Sequence, residues 1–471
     1  MKVVQIYTGC MAHAAYYIES KGEAALFDPL REVEPYMLRA EADQAKIKYV
    51  FETHFHADFV SGHLDLAQKT GATIVYGPTA EPDFPALIAH DLQEFTLGDY
   101  TIKVLHTPGH TMESSCYLLF DEVHKPYGII SGDTLFIGDV GRPDLAQHVV
   151  ADLTEDKLAR LLYHSLRDKI IPLPNDIIVF PNHGAGSACG KNMSKETTDT
   201  LGNQKQTNYA LNPALSEDEF VAELLDGLVA PPGYFPKNVL LNKVGYDSLD
   251  TVLSKANIPL SLPEFEQLRQ DPSVLLLDTR AATDIAKGFI KGALAIALEG
   301  NFAMWVGELI ADINQKIILI CDPGKEKEAL IRLSRVGYDH CVGYLAGGMD
   351  TWELAKKPVL RFDQCRAEAG ELVLAQKNIT LIDVRKKSEY NAEHLVGAIN
   401  IPLNEIEKRI NEFPTQEVFY LHCAGGYRSA IAATLLLKLG ITNFIEIADG
   451  FDGLKQTDLP RTTYVCPSSL L

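Results

Sequence analysis

The sequence lacks long hydrophobic runs. Its apolar stretches last only a few residues, far below the roughly 18 that a membrane-spanning helix needs. The chain opens with MKVVQIYTGC, which enters a strand-like run without the apolar segment and small-residue cleavage site of a signal peptide. We therefore expect no membrane association and a cytoplasmic location.

Cysteine pairs and basic clusters are also missing. The chain has 8 cysteines in 471 residues with no CxxC pair, too sparse for a disulfide framework, so a cysteine that matters should act as a thiol. Lys and Arg total 43 against 63 Asp and Glu, a formal net charge of −20. Because an acidic chain repels the phosphate backbone, we expect no nucleic-acid partner.

The first half of the chain alternates short β-rich runs with amphipathic segments. These segments lie near 32–45, 60–70 and 154–167, and the mixture predicts an α/β region with sheet-on-sheet character. A capping box from Ser216 to Glu219 then predicts a helix start. The following APPGYFPKN would stop a helix, which predicts a domain boundary and a linker-like stretch to about residue 257.

The second half contains an internal repeat. Residues 275–298 (LLLDTRAATDIAKGFIKGALAIAL) align without gaps to 380–403 (TLIDVRKKSEYNAEHLVGAINIPL). Each copy continues with an apolar run that ends at a cysteine, Cys321 or Cys423, and then a helical segment, an order that predicts two α/β domains with parallel sheets. The predicted domains are 1–257, including the linker, 258–361 and 362–471.

Histidine and aspartate side chains follow several of the β-like runs in the first half. They occur in the segments THFHADF, TPGHT, SGDTLF and PNHG. Imidazole and carboxylate groups gathered in this way are typical metal ligands. The candidate ligands are His54, His56, Asp58, His110, Asp133 and His183.

These motifs, in this order over about residues 1–230, resemble those of the metallo-β-lactamase superfamily. The resemblance implies an αββα sandwich with metal between the sheet edges. Dinuclear zinc hydrolases of the superfamily, such as glyoxalase II, carry HxHxDH, whereas position 59 here is Phe. The departure removes a ligand of the second metal and favours one metal per chain.

The segment GDTLFIGDVGRPDL (132–145) is similar to that of persulfide dioxygenases. The resemblance implies one Fe(II) per chain on His54, His110 and Asp133, a facial triad with open positions for O₂ and substrate sulfur. Under this interpretation the other three candidates orient ligands or hold water. The alternative is that all six bind zinc.

Two further residues are candidates for substrate binding. Arg142 offers a cation to an anionic thiol such as glutathione. Cys189 lies in the glycine-rich loop NHGAGSACGK (182–191), and it is either a small buried hydrophobe or a thiol that faces the metal and relays sulfur.

The second repeat carries HCAGGYRS (422–429) between a strand and an Ala-rich helix. A cysteine at this position meets unpaired backbone N–H groups, which together with Arg428 favour a thiolate or persulfide anion. CxxGxRS, with IDVR, Glu389 and HLVGAINIP, resembles a rhodanese domain over about residues 362–460. The resemblance implies catalytic Cys423 and Arg428, and a persulfide cradle of Ala424, Gly425, Gly426, Tyr427 and Ser429.

The first repeat departs from this pattern in the loop from Cys321 to Lys327. Glu326 replaces the arginine and Asp322 adds a second carboxylate. Because nearby anions disfavour a thiolate, we expect an inactive rhodanese-like domain with a packing or docking role. A weak secondary sulfur carrier is the alternative.

Together these resemblances predict a persulfide dioxygenase coupled to a thiosulfate sulfurtransferase. The substrates would be a small thiol persulfide (of glutathione, coenzyme A or similar), O₂, and sulfite or thiosulfate, in a chain that can form homo-oligomers. One rival is a zinc thioester hydrolase like glyoxalase II with rhodanese domains attached. The other is a sulfur-trafficking carrier whose metal-binding domain has no catalytic role.

Overall fold

The structure is a computed structural model that describes residues 1–144, 153–191, 193–228, 230–376 and 379–465. The chain forms two compact units, 1–252 with 331–338, and 253–330 with 339–471. Within the described ranges, none of the helices has both the length and the apolar character that crossing a bilayer requires.

The N-terminal part contains two six-stranded sheets. The first sheet runs in sequence order through β1 (Val3–Thr8), β2 (His13–Ser20), β3 (Glu23–Phe27), β4 (Lys46–Phe51), β5 (Thr73–Tyr76) and β6 (Leu87–Ile88). The second sheet contains β7 (Glu94–Leu97), β8 (Tyr100–His106), β9 (Ser115–Phe120), β10 (Pro126–Gly132), β11 (Ile178–Pro181) and β12 (Asp199–Thr200), also neighbours in sequence order.

The helices that accompany these sheets include the three amphipathic segments and the capping box expected from the sequence. The capping box of Ser216 and Glu219 is formed at the start of its helix. The helices are α1 (Glu34–Ala42), α2 (His63–Thr70), α3 (Glu155–Ser165), α4 (Leu201–Thr207), α5 (Glu217–Leu225), α6 (Phe235–Val244) and α7 (Leu249–Ala256).

Successive side chains of a strand point to opposite faces of its sheet, which produces three apolar layers, one between the two sheets and one between each sheet and its helices. Tyr16 of β2 packs with Tyr117 of β9 in the core between the sheets. Tyr17, which points the opposite way because strand side chains alternate, packs in a cluster with residues of α1 and α2. Leu118 of β9 likewise packs in a cluster with residues of α3 and α5, such as Leu162. The predicted αββα sandwich is therefore confirmed.

The two repeats each form a five-stranded sheet in which every pair of strands is parallel, as predicted. The first sheet has the order β13 (Pro259–Leu260), β17 (Cys341–Leu345), β16 (Lys316–Ile320), β14 (Val274–Asp278), β15 (Leu294–Ala295). The second has the order β18 (Asp363–Cys365), β22 (Phe444–Ile447), β21 (Phe419–His422), β19 (Leu381–Asp383), β20 (Ile399–Asn400).

Nine α-helices of the described residues belong to this part of the sequence. In the first repeat they are α8 (Leu262–Leu268), α9 (Ala282–Lys287), α10 (Phe302–Leu309), α11 (Glu326–Ser334) and α12 (Gly348–Leu354). In the second repeat they are α13 (Ala367–Leu374), α14 (Lys387–Ala392), α15 (Tyr427–Lys438) and α16 (Gly450–Leu454).

The stretch expected to be linker-like is instead largely helical. It contains α6 and α7, and Pro236 lies in the first turn of α6, where its missing N–H costs nothing. The prolines therefore mark a helix start rather than an irregular segment. The domain boundaries at 257/258 and 361/362 stay predictions.

Candidate metal centre and thiol sites

The candidate metal ligands lie where strands end. Strands β8, β10 and β11 run in the same direction, because β9 is antiparallel to β8 and β10 while β11 is parallel to β10. Their carboxyl ends therefore meet at one edge of the sheet, and His110, Asp133 and His183 follow them within a few residues. His54 comes from the loop after β4 of the other sheet.

His54, His110 and Asp133 form one buried group whose ligand atoms lie within 4.8 Å of one another. Nε2 of His110 and Nε2 of His54 are 3.4 Å and 4.0 Å from Oδ2 of Asp133. Neither carboxylate oxygen of Asp133 accepts a hydrogen bond from an N–H or O–H group of the described residues. A buried carboxylate without such donors, facing two imidazoles, suits a bound cation.

The surroundings of the two imidazoles in this group suit them to metal binding. Nδ1 of His110 lies 2.7 Å from the carbonyl oxygen of Arg142 and must donate to it, which leaves Nε2 toward Asp133. Burial, followed by the neighbouring histidines, holds the pKa of His54 well below its usual value. Neutral imidazole is the form that binds metal.

Arg142 uses its backbone and its side chain for different contacts. Besides the His110 contact, its N–H donates to the carbonyl of Cys189 at 3.0 Å. Its guanidinium pairs with both carboxylate oxygens of Asp144, at 2.6 and 2.5 Å. The carboxylate offsets the positive charge that we expected to attract substrate, so a substrate-binding role for Arg142 stays a prediction.

Asp58, His183 and Cys189 form a second buried group with the same close spacing. Nε2 of His183 lies 3.5 Å from Oδ2 of Asp58 and 3.6 Å from Oδ1 of Asp133, so the two groups are adjacent. Burial first, and then the negative charges of Asp58 and Asp133, hold the pKa of the Cys189 thiol well above its usual value. A thiol in its protonated form is a weak nucleophile.

His56 belongs to a third buried group. Its Nε2 lies 2.9 Å from Asp28 and 3.3 Å from Glu52. Burial alone would lower the pKa of His56, but the two carboxylates raise it well above the usual value. His56 also stacks on Phe59, with ring centroids 4.3 Å apart. An apolar ring thus lies beside His56 at the position where HxHxDH carries a ligand.

Sequence reasoning missed three residues that hold this region together. Asp28 directly follows β3 and Glu52 directly follows β4, and this position after a strand is the signal by which the sequence could have identified them. Asn242 of α6 gave none, because it lies in the presumed linker. Its amide donates to the carbonyls of His56 and Phe59 at 2.8 and 2.7 Å, and its oxygen accepts from Ser61 N–H at 2.9 Å.

The loop of the second repeat brings two polar hydrogens near the sulfur of Cys423. Gly426 N–H lies 3.2 Å from Sγ, and the Ser429 hydroxyl lies 3.4 Å from Sγ and 2.6 Å from a carboxylate oxygen of Glu446. Arg428 pairs with Glu389 at 2.5 and 2.8 Å and makes no described hydrogen bond to Cys423. Gly426 has φ +92° and an added Cβ would lie 2.2 Å from a backbone oxygen, so only glycine is suited to this turn.

The corresponding loop of the first repeat also has a glycine at positive φ, but its hydrogen-bond partners differ. Gly324, at φ +89°, is the equivalent of Gly426, yet its N–H donates to the carboxylate of Glu326 at 2.8 Å. Burial raises the pKa of Cys321 to about 12, and Glu326 adds to the shift. An open cavity of about 250 Å³ beside the loop is lined by both acidic and basic side chains, those of Asp284, Asp322, Asp350, Glu353, Arg280 and Lys287.

Two protein families match separate parts of the chain. The metallo-β-lactamase superfamily matches residues 8–183. The rhodanese-like domain matches twice, over 261–355 and 367–457.

Two curated relatives match only the N-terminal part. A hydroxyacylglutathione hydrolase of Tolumonas auensis is 33% identical over 172 residues, which are 36% of this chain and 60% of that protein. One of Rhizobium etli is 34% identical over 142 residues, 29% of this chain and 48% of that protein. The chain thus spans less than two thirds of the length of either hydrolase.

A solved structure gives a much longer match. The metallo-β-lactamase of Staphylococcus aureus subsp. aureus COL is 31% identical, and its superposition covers 74% of this chain and 99% of that chain with a TM-score of 0.65. A likeness that extends over nearly the whole of that protein places this chain in the metallo-β-lactamase superfamily, with two rhodanese-like domains after the metal-binding fold.

Proposed function

We propose that the protein is a persulfide dioxygenase coupled to a rhodanese sulfurtransferase. The proposal is supported mainly by two features of the site. Two histidines and one carboxylate form a compact group, and Phe59 packs against His56 at the position where HxHxDH carries a further ligand. Two imidazoles and one carboxylate are the ligand set of non-haem Fe(II) oxygenases. The reaction at this group would be R–S–SH + O₂ + H₂O → R–SH + SO₃²⁻ + 2 H⁺.

His54, His110 and Asp133 would hold the iron. When bound, Fe(II) supplies the redox chemistry and the open coordination positions that O₂ and a persulfide sulfur require. The carbonyl of Arg142 fixes the ring orientation and the tautomer of His110. Asp58 and His183, whose side chains lie next to Asp133, would accept protons or orient water.

Cys423 would carry the sulfane sulfur in the second half of the reaction. Attack of its thiolate on thiosulfate gives Cys–S–S⁻ and releases SO₃²⁻, and the reverse step forms thiosulfate from sulfite. The N–H of Gly426 can stabilise a sulfur anion here because it donates toward Sγ, whereas the single hydrogen of the Ser429 hydroxyl also has the carboxylate of Glu446 as an acceptor at 2.6 Å. Sulfite from the iron site is thus a substrate for the thiol site.

A thioester hydrolase is the second candidate, and two observations favour it. The curated relatives of the N-terminal part are named hydroxyacylglutathione hydrolases. The group of Asp58, His183 and Cys189 offers ligands for another metal next to the first. A zinc-activated water would then attack the thioester carbonyl.

Metal content and substrate turnover separate the two candidates. The chain is purified anaerobically, iron and zinc are quantified, and O₂ uptake with glutathione persulfide is compared with hydrolysis of a hydroxyacylglutathione thioester. We expect about one iron per chain, O₂ uptake and sulfite release. Two zinc ions with thioester hydrolysis and no O₂ uptake would refute the proposal.

A single substitution tests the ligand assignment. Asp133→Asn should lose nearly all bound metal, because a facial triad has one carboxylate. Asp121→Asn is the matched control, since Asp121 only accepts backbone N–H groups in a turn. An Asp133→Asn chain that keeps its iron and its O₂ uptake would show that the ligands are misassigned.

A further inference from the structure

Tyr427, the first residue of α15, connects the thiol loop of the second repeat to the first repeat. Its hydroxyl donates to the carbonyl of Ala297 at 2.9 Å. Its ring lies beside Gly300, where an added Cβ would be 3.5 Å from the ring. The side chain therefore leaves the loop that holds Cys423 and binds the backbone of the neighbouring rhodanese-like domain.

The same face of α15 makes a second contact with that domain. Thr434 lies seven residues after Tyr427, which is two helical turns and the same face. The N–H of Ala295 donates to its hydroxyl at 3.1 Å. Backbone groups of Ala295 and Ala297 thus fix one side of α15 at two points.

The placement of α15 decides where the sulfur donors lie. Gly426, directly before the helix, and Ser429, in its first turn, provide the two groups that face Sγ of Cys423. The other side of the loop is held within its own domain, by Phe451 N–H to the carbonyl of Cys423 at 2.7 Å. The helix side, which is also bound to its own domain through Ser429 and Glu446, additionally contacts the first repeat.

We propose that the first rhodanese-like domain positions the thiol loop of the second, and that Tyr427 is the positioning residue through its bond to Ala297. This inference rests on the proposed sulfurtransferase activity of Cys423. It gives the first repeat a task that needs no reactive thiol of its own. Lys325, at the position equivalent to Tyr427, instead pairs with Glu328 of its own domain.

The test compares Tyr427→Phe with Thr434→Val in the full chain. Tyr427→Phe keeps the ring and loses the hydrogen bond next to the sulfur, whereas Thr434→Val loses a bond of the same interface two turns away. Thiosulfate-dependent sulfur transfer gives kcat and KM. The pH profile of Cys423 alkylation measures how well the loop stabilises the thiolate, without any need for turnover.

We expect Tyr427→Phe to lower kcat about fivefold with a smaller change in KM, the effect of one lost hydrogen bond. Its alkylation midpoint should move to higher pH by about half a unit. Thr434→Val should lower the melting temperature without moving that midpoint. Equal kcat and equal midpoints for Tyr427→Phe and the wild type would overturn the proposal.

The remaining outcomes also decide the question. Equal midpoint shifts in both variants, or a Tyr427→Phe chain that does not fold, would mean that the bond serves general stability, which also overturns the proposal. A wild-type chain that transfers no sulfur would refute the proposed function instead. The alkylation profile would still report whether Tyr427 shapes the loop.

Discussion

Alkylation of the native protein should leave Cys321 almost unlabelled while Cys423 reacts. The two thiols form a matched pair, since each ends a central parallel strand and each is nearly inaccessible, with 2% and 1% of the residue exposed. Access alone therefore does not distinguish them. The difference lies in the donors on sulfur, one hydroxyl of Thr279 for Cys321 against Gly426 N–H and Ser429 for Cys423.

The size of the effect follows from the thiolate fraction. With a pKa of about 12, Cys321 holds about 3,000-fold less thiolate at pH 7.5 than an ordinary thiol of pKa about 8.5. The higher basicity of its thiolate recovers about 40-fold, because nucleophilicity rises with pKa with a Brønsted slope of about 0.45. The thiolate term by itself should therefore slow alkylation of Cys321 about 75-fold relative to a free thiol.

Iodoacetamide labelling followed by peptide mass spectrometry measures both rates, with the unfolded protein as the control for intrinsic reactivity. The rate at Cys321 should rise about tenfold per pH unit up to about pH 11, since the thiolate fraction does so below the pKa. Glu326→Gln should change it only a few-fold, because burial is the larger cause of the shift. Equal labelling of Cys321 and Cys423, or a persulfide on Cys321 after thiosulfate treatment, would refute this reasoning.

Two further substitutions test the proposed sites. Cys423→Ser should abolish sulfur transfer from thiosulfate, because a serine oxygen cannot carry sulfane sulfur. O₂ uptake with a supplied persulfide should continue, and sulfite should accumulate. Loss of both activities would mean that Cys423 must deliver sulfur to the metal site. Asn242→Ala removes three hydrogen bonds to the His56–Ser61 loop and should lower the unfolding free energy of the N-terminal unit by about 3 kcal/mol. A change below about 0.5 kcal/mol in denaturant titration would contradict that role.

Local signals in the sequence predicted part of the fold. The β-rich runs predicted an α/β region with sheet-on-sheet character, the 216–219 capping box a helix start, and the gapless repeat two domains with parallel sheets. The αββα sandwich was implied instead by the resemblance of the histidine and aspartate motifs to the metallo-β-lactamase superfamily. The positions of His110, Asp133 and His183 were predictable from local signals as well. Strands β8, β10 and β11 run in the same direction, so the residues that follow them lie at the same edge of the sheet.

The partners of individual side chains were not predictable. His54 and His56 are two residues apart, yet His54 faces Asp133 while His56 faces Asp28 and Glu52. Only the position of β3 relative to β4 brings Asp28 to His56, and that contact spans 28 residues. Asn242 was missed for the same reason, because its bonds to the loop reach across more than 180 residues.

The two repeats differ in the acceptor that the N–H of the loop glycine meets. Gly426 and Gly324 both have positive φ, at +92° and +89°, but the N–H of Gly426 donates toward Sγ of Cys423, whereas that of Gly324 donates to the carboxylate of Glu326. An N–H bound to a carboxylate within its own loop cannot stabilise a sulfur anion unless that carboxylate is displaced, and the carboxylate also repels such an anion. The change leaves the parallel sheet and the backbone at Ala295 and Ala297 intact, and these are the groups that contact α15. The first repeat can therefore lose its reactive loop and still keep the surface that contacts the thiol loop of the second repeat.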